Sequence, residues 1–285
     1  MKHRAIGDLN QRNDTDLYQE ISIGLEKIYE HCIELAESAK LLAENKQYRA
    51  FKIIQAISNE EAAKYLILLD VLRCPNKKNQ DKTLFKNQLK KFNGHLAKGI
   101  YVKVYDCINI SYEDICTFIK CQLEEFYYAG FDEGEDWKFK NEIISEREES
   151  FYVDYVQYEE GYNQWLSPKT PNVVNSDADS IDLLIQEAGL NINPHTPSKI
   201  IKLVKALHSI GISHIESIKV FSDFWRNFEL RDEMRWNDIQ KANHECLVII
   251  HQKNLLGDKT TQDDWNLIIN ELTFPLHKID MPELR

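Results

Sequence analysis

Apolar residues recur along this chain in steps of three and four, the spacing that lines up on one side of an α-helix. A first helix is predicted from about Leu17 to Glu44, with Leu25, Ile28, Cys32, Leu35, Ala39 and Leu42 in one stripe. Asn45, Lys46 and Gln47 make a short polar turn. A second helix follows from Tyr48 to Arg73, with Phe51, Ile54, Ser58, Glu61, Tyr65, Leu68 and Leu72 in register. Pro75 stops it, because a proline ring cannot continue a helix. A third is expected from Thr83 to Asp106, carrying Phe85, Leu89, Phe92, Leu96 and Ile100 inward. A fourth runs from Tyr112 to about Ala129, with Ser111 as N-cap and Asp114 positioned to close a capping box. Four amphipathic helices with short connections predict an all-α fold, an antiparallel four-helix bundle.

Residues 1–15 are polar and expected to fray. Residues 137–158 read as a further helix and then an extended segment, FYVDYVQY. Residues 166–180 hold two prolines and no periodicity, the pattern of a linker. Additional C-terminal helices are predicted at Ser180–Ala188, Pro197–Ser209, Ile215–Phe228, Asn237–Asn254 and Gln262–Thr273. The chain therefore divides into a bundle over 15–170 and a C-terminal helical region over 175–285, an extension or second subdomain.

Composition agrees with helices. The 285 residues include only 10 glycines and 7 prolines, and 43% are hydrophobic. The N-terminus, MKHRAIGDLNQRND, lacks a signal-peptide core. No run reaches the roughly 20 apolar residues of a membrane span. Six scattered cysteines have no zinc spacing. The expectation is a cytoplasmic protein with reduced thiols, no metal and no cofactor. Glu-x-x-His, HExxH, Walker A, GxGxxG and GxSxG motifs are all absent.

Charge changes the picture locally. The net charge is −11, which repels phosphate overall. Yet Arg73 to Lys103 carries nine cations against Asp81 alone. Within it, His95 lies four residues after Lys91 and three before Lys98, so one continuous helix would place all three on one ridge. An imidazole can exchange protons near neutrality, and ammonium groups beside it can hold a phosphate. That set suits metal-free RNA cleavage, in which the ribose 2′-OH attacks its own phosphate. Lys86, Lys90 and Lys103 are further RNA-binding candidates. Glu61 falls on the apolar seam of the second helix, where a carboxylate needs a partner. Lys64, three residues on, can supply one. The same spacings also suit a structural ion pair and a solvated basic face.

Three stretches together resemble the AbiV branch of the HEPN superfamily. LAESAKLLAENKQYRAFKIIQAISNEEAAK (35–64) is similar to its helix–turn–helix closing on Glu-Glu-x-x-Lys, here Glu60, Glu61 and Lys64. FNGHLAKGIY (92–101) is similar to its Phe-x-x-His-x-x-Lys, here Phe92, His95 and Lys98. REESFYVDYVQYEEGYNQWLSP (147–168) resembles its Tyr-Val-Asp segment, here Tyr152, Val153 and Asp154, followed by Trp165 and Pro168. The resemblance implies a HEPN-like bundle, commonly a homodimer, in a phage-defence effector that cleaves tRNA, rRNA or mRNA or otherwise blocks translation, with a phage protein as a possible trigger. The superfamily's usual motif is an arginine, four to six intervening residues, then a histidine; upstream of His95 stand Lys90 and Lys91 instead. Lysine has the charge but not the planar fork. On this reading His95, Lys91, Lys98, Glu61 and Lys64 form the catalytic group. The alternative is a non-enzymatic helical protein that acts by binding a phage or translation-machinery partner.

Overall fold

The computed structural model describes residues 5–75, 82–105, 111–123, 127–129, 136–138, 143–144, 147, 151–157, 163–166, 197–279 and 281. The body is helical. A 3-10 helix, η1 (Ile6–Gln11), precedes α1 (Asp14–Glu44) and α2 (Tyr48–Arg73). Then come α3 (Lys82–Lys91), α4 (His95–Val104) and α5 (Tyr112–Leu123). The C-terminal part contributes α6 (Lys199–Ser209), α7 (Ile215–Asn227), α8 (Trp236–Gln252) and α9 (Gln262–Glu271). Two small antiparallel hairpins lie between these groups. One pairs β1 (Tyr127–Ala129) with β2 (Asp136–Lys138), and the other pairs β3 (Asp154–Gln157) with β4 (Asn163–Leu166).

Local chemistry explains the boundaries. Asn13 caps α1 by accepting from the Asp16 amide at 2.9 Å. Ser111 and Asp114 close the expected capping box on α5. The α1–α2 turn is a Schellman motif. Lys46 adopts φ 59°, its amide bonds Ala43 O, and the Gln47 amide bonds Leu42 O.

Three expectations are corrected. The helix predicted from Thr83 to Asp106 is two helices, because Asn93 and Gly94 are poor helix formers and Gly94 takes an extended backbone. Amides 92–94 instead bond three residues back, to Leu89, Lys90 and Lys91. The helix predicted to reach Ala129 ends at Leu123, with residues 127–129 in β1. The N-terminal stretch is not wholly frayed, since Ile6 and Leu9, three apart, turn inward from η1 onto the core. The helix expected at Ser180–Ala188 lies outside the described residues.

α2 is the central element. From Ala62 to Arg73 all but Lys64 are buried, because α2 packs against α1, α3, α4, α6 and α7. A helix apolar on every side must be surrounded, and α6 and α7 supply the cover that three bundle partners leave open. One hydrophobic cluster accordingly runs from Leu17 to Met281.

A buried polar network ties the C-terminal segment to α2. Asp70 accepts from Arg73 (3.0 Å), from the Tyr101 hydroxyl (2.6 Å) and from the Leu276 amide (2.9 Å). Arg73 also donates to Thr273 O and lies 4.3 Å from the Trp225 ring centre. Lys91 donates to Leu276 O at 2.9 Å and Ile279 O at 2.7 Å. Each buried charge thus recovers part of the solvation it loses.

His277 sits against this network, 5% exposed. Burial pushes its pKa down to about 4, assisted by Lys91 and Arg73 and opposed by Asp70. The folded protein therefore prefers the neutral ring. That stability is complete above the unfolded value near 6.5 and is lost as pH falls toward 4. Between about pH 7.5 and pH 5, urea unfolding of the wild type should lose about 2 kcal/mol more than the His277→Gln variant loses.

Candidate functional site

Glu60 and Glu61 are adjacent on α2 and so point roughly a quarter-turn apart. Glu61 faces α1: its carboxylate pairs with Lys64 and lies 3.7 Å from His31 Nδ1. Glu60 faces α4. Its side chain is only 15% exposed and it accepts three bonds. Lys98 Nζ donates to Oε2 at 2.6 Å, His95 Nδ1 lies 2.9 Å from the same oxygen, and Arg147 Nε donates to Oε1 at 2.9 Å. Burial raises the Glu60 pKa, but Lys98, Arg147 and His95 together outweigh it and hold the carboxyl below its usual range. Lys98 is 5% exposed. Burial lowers its pKa, and the bond to Glu60 partly restores it.

His95 occupies the first position of α4, after the extended Gly94. Its ring is half exposed. Nδ1 lies beside an oxygen that only accepts and, at 3.2 Å, an ammonium that only donates. In the tautomer with its proton on Nδ1, the ring donates to Glu60. Nε2 is then the basic nitrogen, with no hydrogen-bond partner among the described residues.

Ile143 packs closely on α4: a Cβ on Gly99 would lie 2.2 Å from Ile143 Cγ2. The Arg147 guanidinium stacks 4.8 Å from the Phe151 ring centre.

These side chains line a cleft of about 760 Å³ together with Phe92, Asn93 and Ile57. Ala5, Ile6 and Leu9 from the N-terminal 3-10 stretch and Glu20 from α1 complete it. Lys64 lies 5.6 Å from the Phe92 ring centre. Among the described residues no group of three His, Cys, Asp or Glu could hold a metal ion, and no helix is long and apolar enough to cross a membrane.

The structure brings together His95, Lys98, Glu61 and Lys64 and separates Lys91 from them. The Phe92–Gly94 turn breaks the ridge that would have joined Lys91 to His95, and the Lys91 ammonium instead holds C-terminal carbonyls. Lys86 and Lys90 are exposed on α3 and Lys103 is half-buried on α4, none of them lining the cleft. Arg73, Lys91 and Lys98 are all internal, so the basic run is not one continuous face. Sequence reasoning assigned no role to Glu60, Arg147 or Asn93. Glu60 and Arg147 belong to the quoted motifs, and that was the available signal.

The three motif stretches thus meet at one cleft: Glu60, Glu61 and Lys64 from the first, Phe92, His95 and Lys98 from the second, Arg147 from the third. A family model described as AbiV, of the HEPN group, matches residues 20–187, more than half of the chain. The chain belongs to the AbiV family. This placement points to abortive-infection defence against phage and agrees with the helical fold. No curated protein and no solved structure matches the chain. Within this AbiV-family chain, the converging motifs are separated by tens of residues in sequence but share a few hydrogen bonds in space.

Two substitutions examine the geometry. Glu60→Gln removes the carboxylate bonded to the buried Lys98 and should cost about 3 kcal/mol at neutral pH. Because the Glu60 pKa is depressed, its contribution is present above the ordinary carboxylate range and lost as pH falls through the folded value. Wild-type and variant urea midpoints should therefore converge below about pH 4. Gly99→Val should push against Ile143 and cost about 1–3 kcal/mol by overpacking, read as a lower melting temperature.

Proposed function

We propose that this chain is an abortive-infection effector acting as a metal-independent endoribonuclease in the cytoplasm. The observation that carries the reading is the His95–Glu60 pair at the cleft, with Nε2 unpartnered among the described residues and the Lys98 and Arg147 cations on the same carboxylate. Glu60 orients the ring and fixes its tautomer, as a carboxylate does for a catalytic histidine. Nε2 takes the proton of a ribose 2′-OH. That oxygen attacks the adjacent phosphorus, the P–O5′ bond breaks, and a 2′,3′-cyclic phosphate and a 5′-OH result. Lys98 and the Nη groups of Arg147 neutralise the charge that builds on the phosphoryl oxygens. Arg147 supplies the planar fork that the lysines upstream of His95 lack.

In-line displacement puts the attacking and leaving oxygens on opposite sides of phosphorus. One imidazole does not reach both, so a second group must protonate the 5′-oxygen. In a homodimer the second copy of the cleft supplies that group. Lys64 and Glu61 hold the α1 side of the site in place. Lys86, Lys90 and Lys103 give longer-range attraction to the RNA backbone. Lys91 is assigned a structural role only.

Incubation with tRNA, rRNA and mRNA should give fragments ending in 2′,3′-cyclic phosphate, at equal rates with and without EDTA. His95→Ala should cut at least about a hundredfold more slowly. Equal cleavage by wild type and His95→Ala would remove His95 from the chemistry.

A second reading, a non-enzymatic binder of a phage or translation-machinery protein, draws on one observation. Tyr152 (53%) and Val153 (55%), just before β3, and Trp165 (69%) in β4 are exposed. Growth inhibition that persists in His95→Ala but disappears when these three are replaced would favour it.

A further inference from the structure

The structural role of Lys91 extends toward the cleft through the chain itself. Lys91 is the last residue of α3 and only 2% exposed. Burying an ammonium is costly, and an apolar side chain of similar length fills such a space without that cost. Its ammonium reaches past its own helix to the Leu276 and Ile279 carbonyls, at 2.9 and 2.7 Å. Leu276 also gives its amide to Asp70 of α2, at 2.9 Å. One residue of the C-terminal segment thus bridges α2 and the end of α3.

The backbone of Lys91 leads to His95. One turn earlier, Gln88 bonds Ile67 O of α2 and the Tyr101 hydroxyl of α4, which holds the middle of α3. After Lys91 the chain turns sharply. The amides of Phe92, Asn93 and Gly94 bond the carbonyls of Leu89, Lys90 and Lys91 at 3.3, 3.2 and 3.2 Å. Gly94 O then accepts from the Lys98 amide as α4 begins, and no side chain caps that helix start. These bonds tie the first turn of α4 to the last turn of α3. Phe92, Asn93, His95 and Lys98 from this stretch all line the cleft.

We infer that the C-terminal segment is a clasp for the cleft, holding Lys91 so that the turn after it presents His95 to Glu60. Lys91 is then a positioning residue. It touches no substrate and acts through Phe92–Gly94 on the ring. His95 Nδ1 lies 2.9 Å from Glu60, and a shift of about 1 Å would take that contact out of hydrogen-bond range. Two directed bonds from a buried ammonium fix the end of α3 in one place, which apolar packing leaves free to slide. The clasp gives the C-terminal segment a part in a cleft that, among the described residues, it does not line. The inference deepens the ribonuclease reading and rests on it for the task of the ring.

The test compares Lys91→Met with Leu207→Ala, a core truncation in α6, which packs on α1, α2 and α9. Both should lower the melting temperature, but only Lys91→Met should move the turn. The amides of Asn93, Gly94 and Lys98 should exchange hydrogen about tenfold faster in Lys91→Met than in Leu207→Ala. In nitrogen NMR the His95 ring signals should shift in Lys91→Met and match the wild type in Leu207→Ala. Ile279→Ala loosens the segment from its other side and should repeat both effects; it alone decides if Lys91→Met does not fold. RNA cleavage by Lys91→Met should fall about a hundredfold in kcat. Exchange rates and ring signals in Lys91→Met that match those of Leu207→Ala would overturn the clasp, as would a response that Ile279→Ala does not share. Moved amides and ring in a protein that cuts no RNA keep the clasp and remove the ribonuclease reading. Undiminished cleavage by Lys91→Met, with the ring unmoved, keeps that reading and removes the clasp.

Discussion

A carboxylate that loses most of its contact with water must regain that solvation from neighbouring charges. Glu60 meets this requirement with Lys98, His95 and Arg147, and these three come from two different parts of the chain. The geometry of the site follows from this one constraint. The ring of His95 is fixed because Nδ1 must serve Glu60. Lys98 tolerates burial because Glu60 is there. Arg147 completes the group by donating to the other carboxylate oxygen.

α2 organises both ends of the molecule. Glu60 and Glu61 face the cleft, and Asp70 and Arg73, about 15 Å further along the axis, face the C-terminal segment. At the cleft end cations and acids meet beside solvent. At the other end similar groups are sealed in, each bonded to backbone or to another side chain, and they hold the C-terminal segment in place. Lys91 and Lys98 show the contrast. They lie seven residues apart in the same basic run, yet one anchors carbonyls and the other serves the cleft.

That contrast bears on how a cationic run is read. A block of lysines looks like a phosphate-binding face only if the side chains share a surface. Here Asn93 and Gly94 interrupt the helix, and the two halves point their lysines in different directions. The arginine that does reach Glu60 comes from beyond His95 in the sequence. A spacing rule defined within one helix could not detect it.

Much of the fold was legible from periodicity. The first two helices, the turn between them, the capping box at Ser111 and four C-terminal helices lie close to their expected bounds, because burial and capping are local demands that residue spacing records. The AbiV motifs named Glu60, His95 and Lys98 together. The stripe of α2 drew attention to Glu61 because it lies in step with Phe51 and Tyr65. The neighbouring residue holds the histidine, since which side of a helix faces which partner depends on helices not yet placed. The split of the third helix, the inward role of Lys91, the inward turn of Ile6 and Leu9, and the arrival of Arg147 were decided only in three dimensions. Short-range patterning determines which segments coil and which face they bury. Pairing among charges distant in sequence depends on how those faces are brought together, which no periodicity encodes.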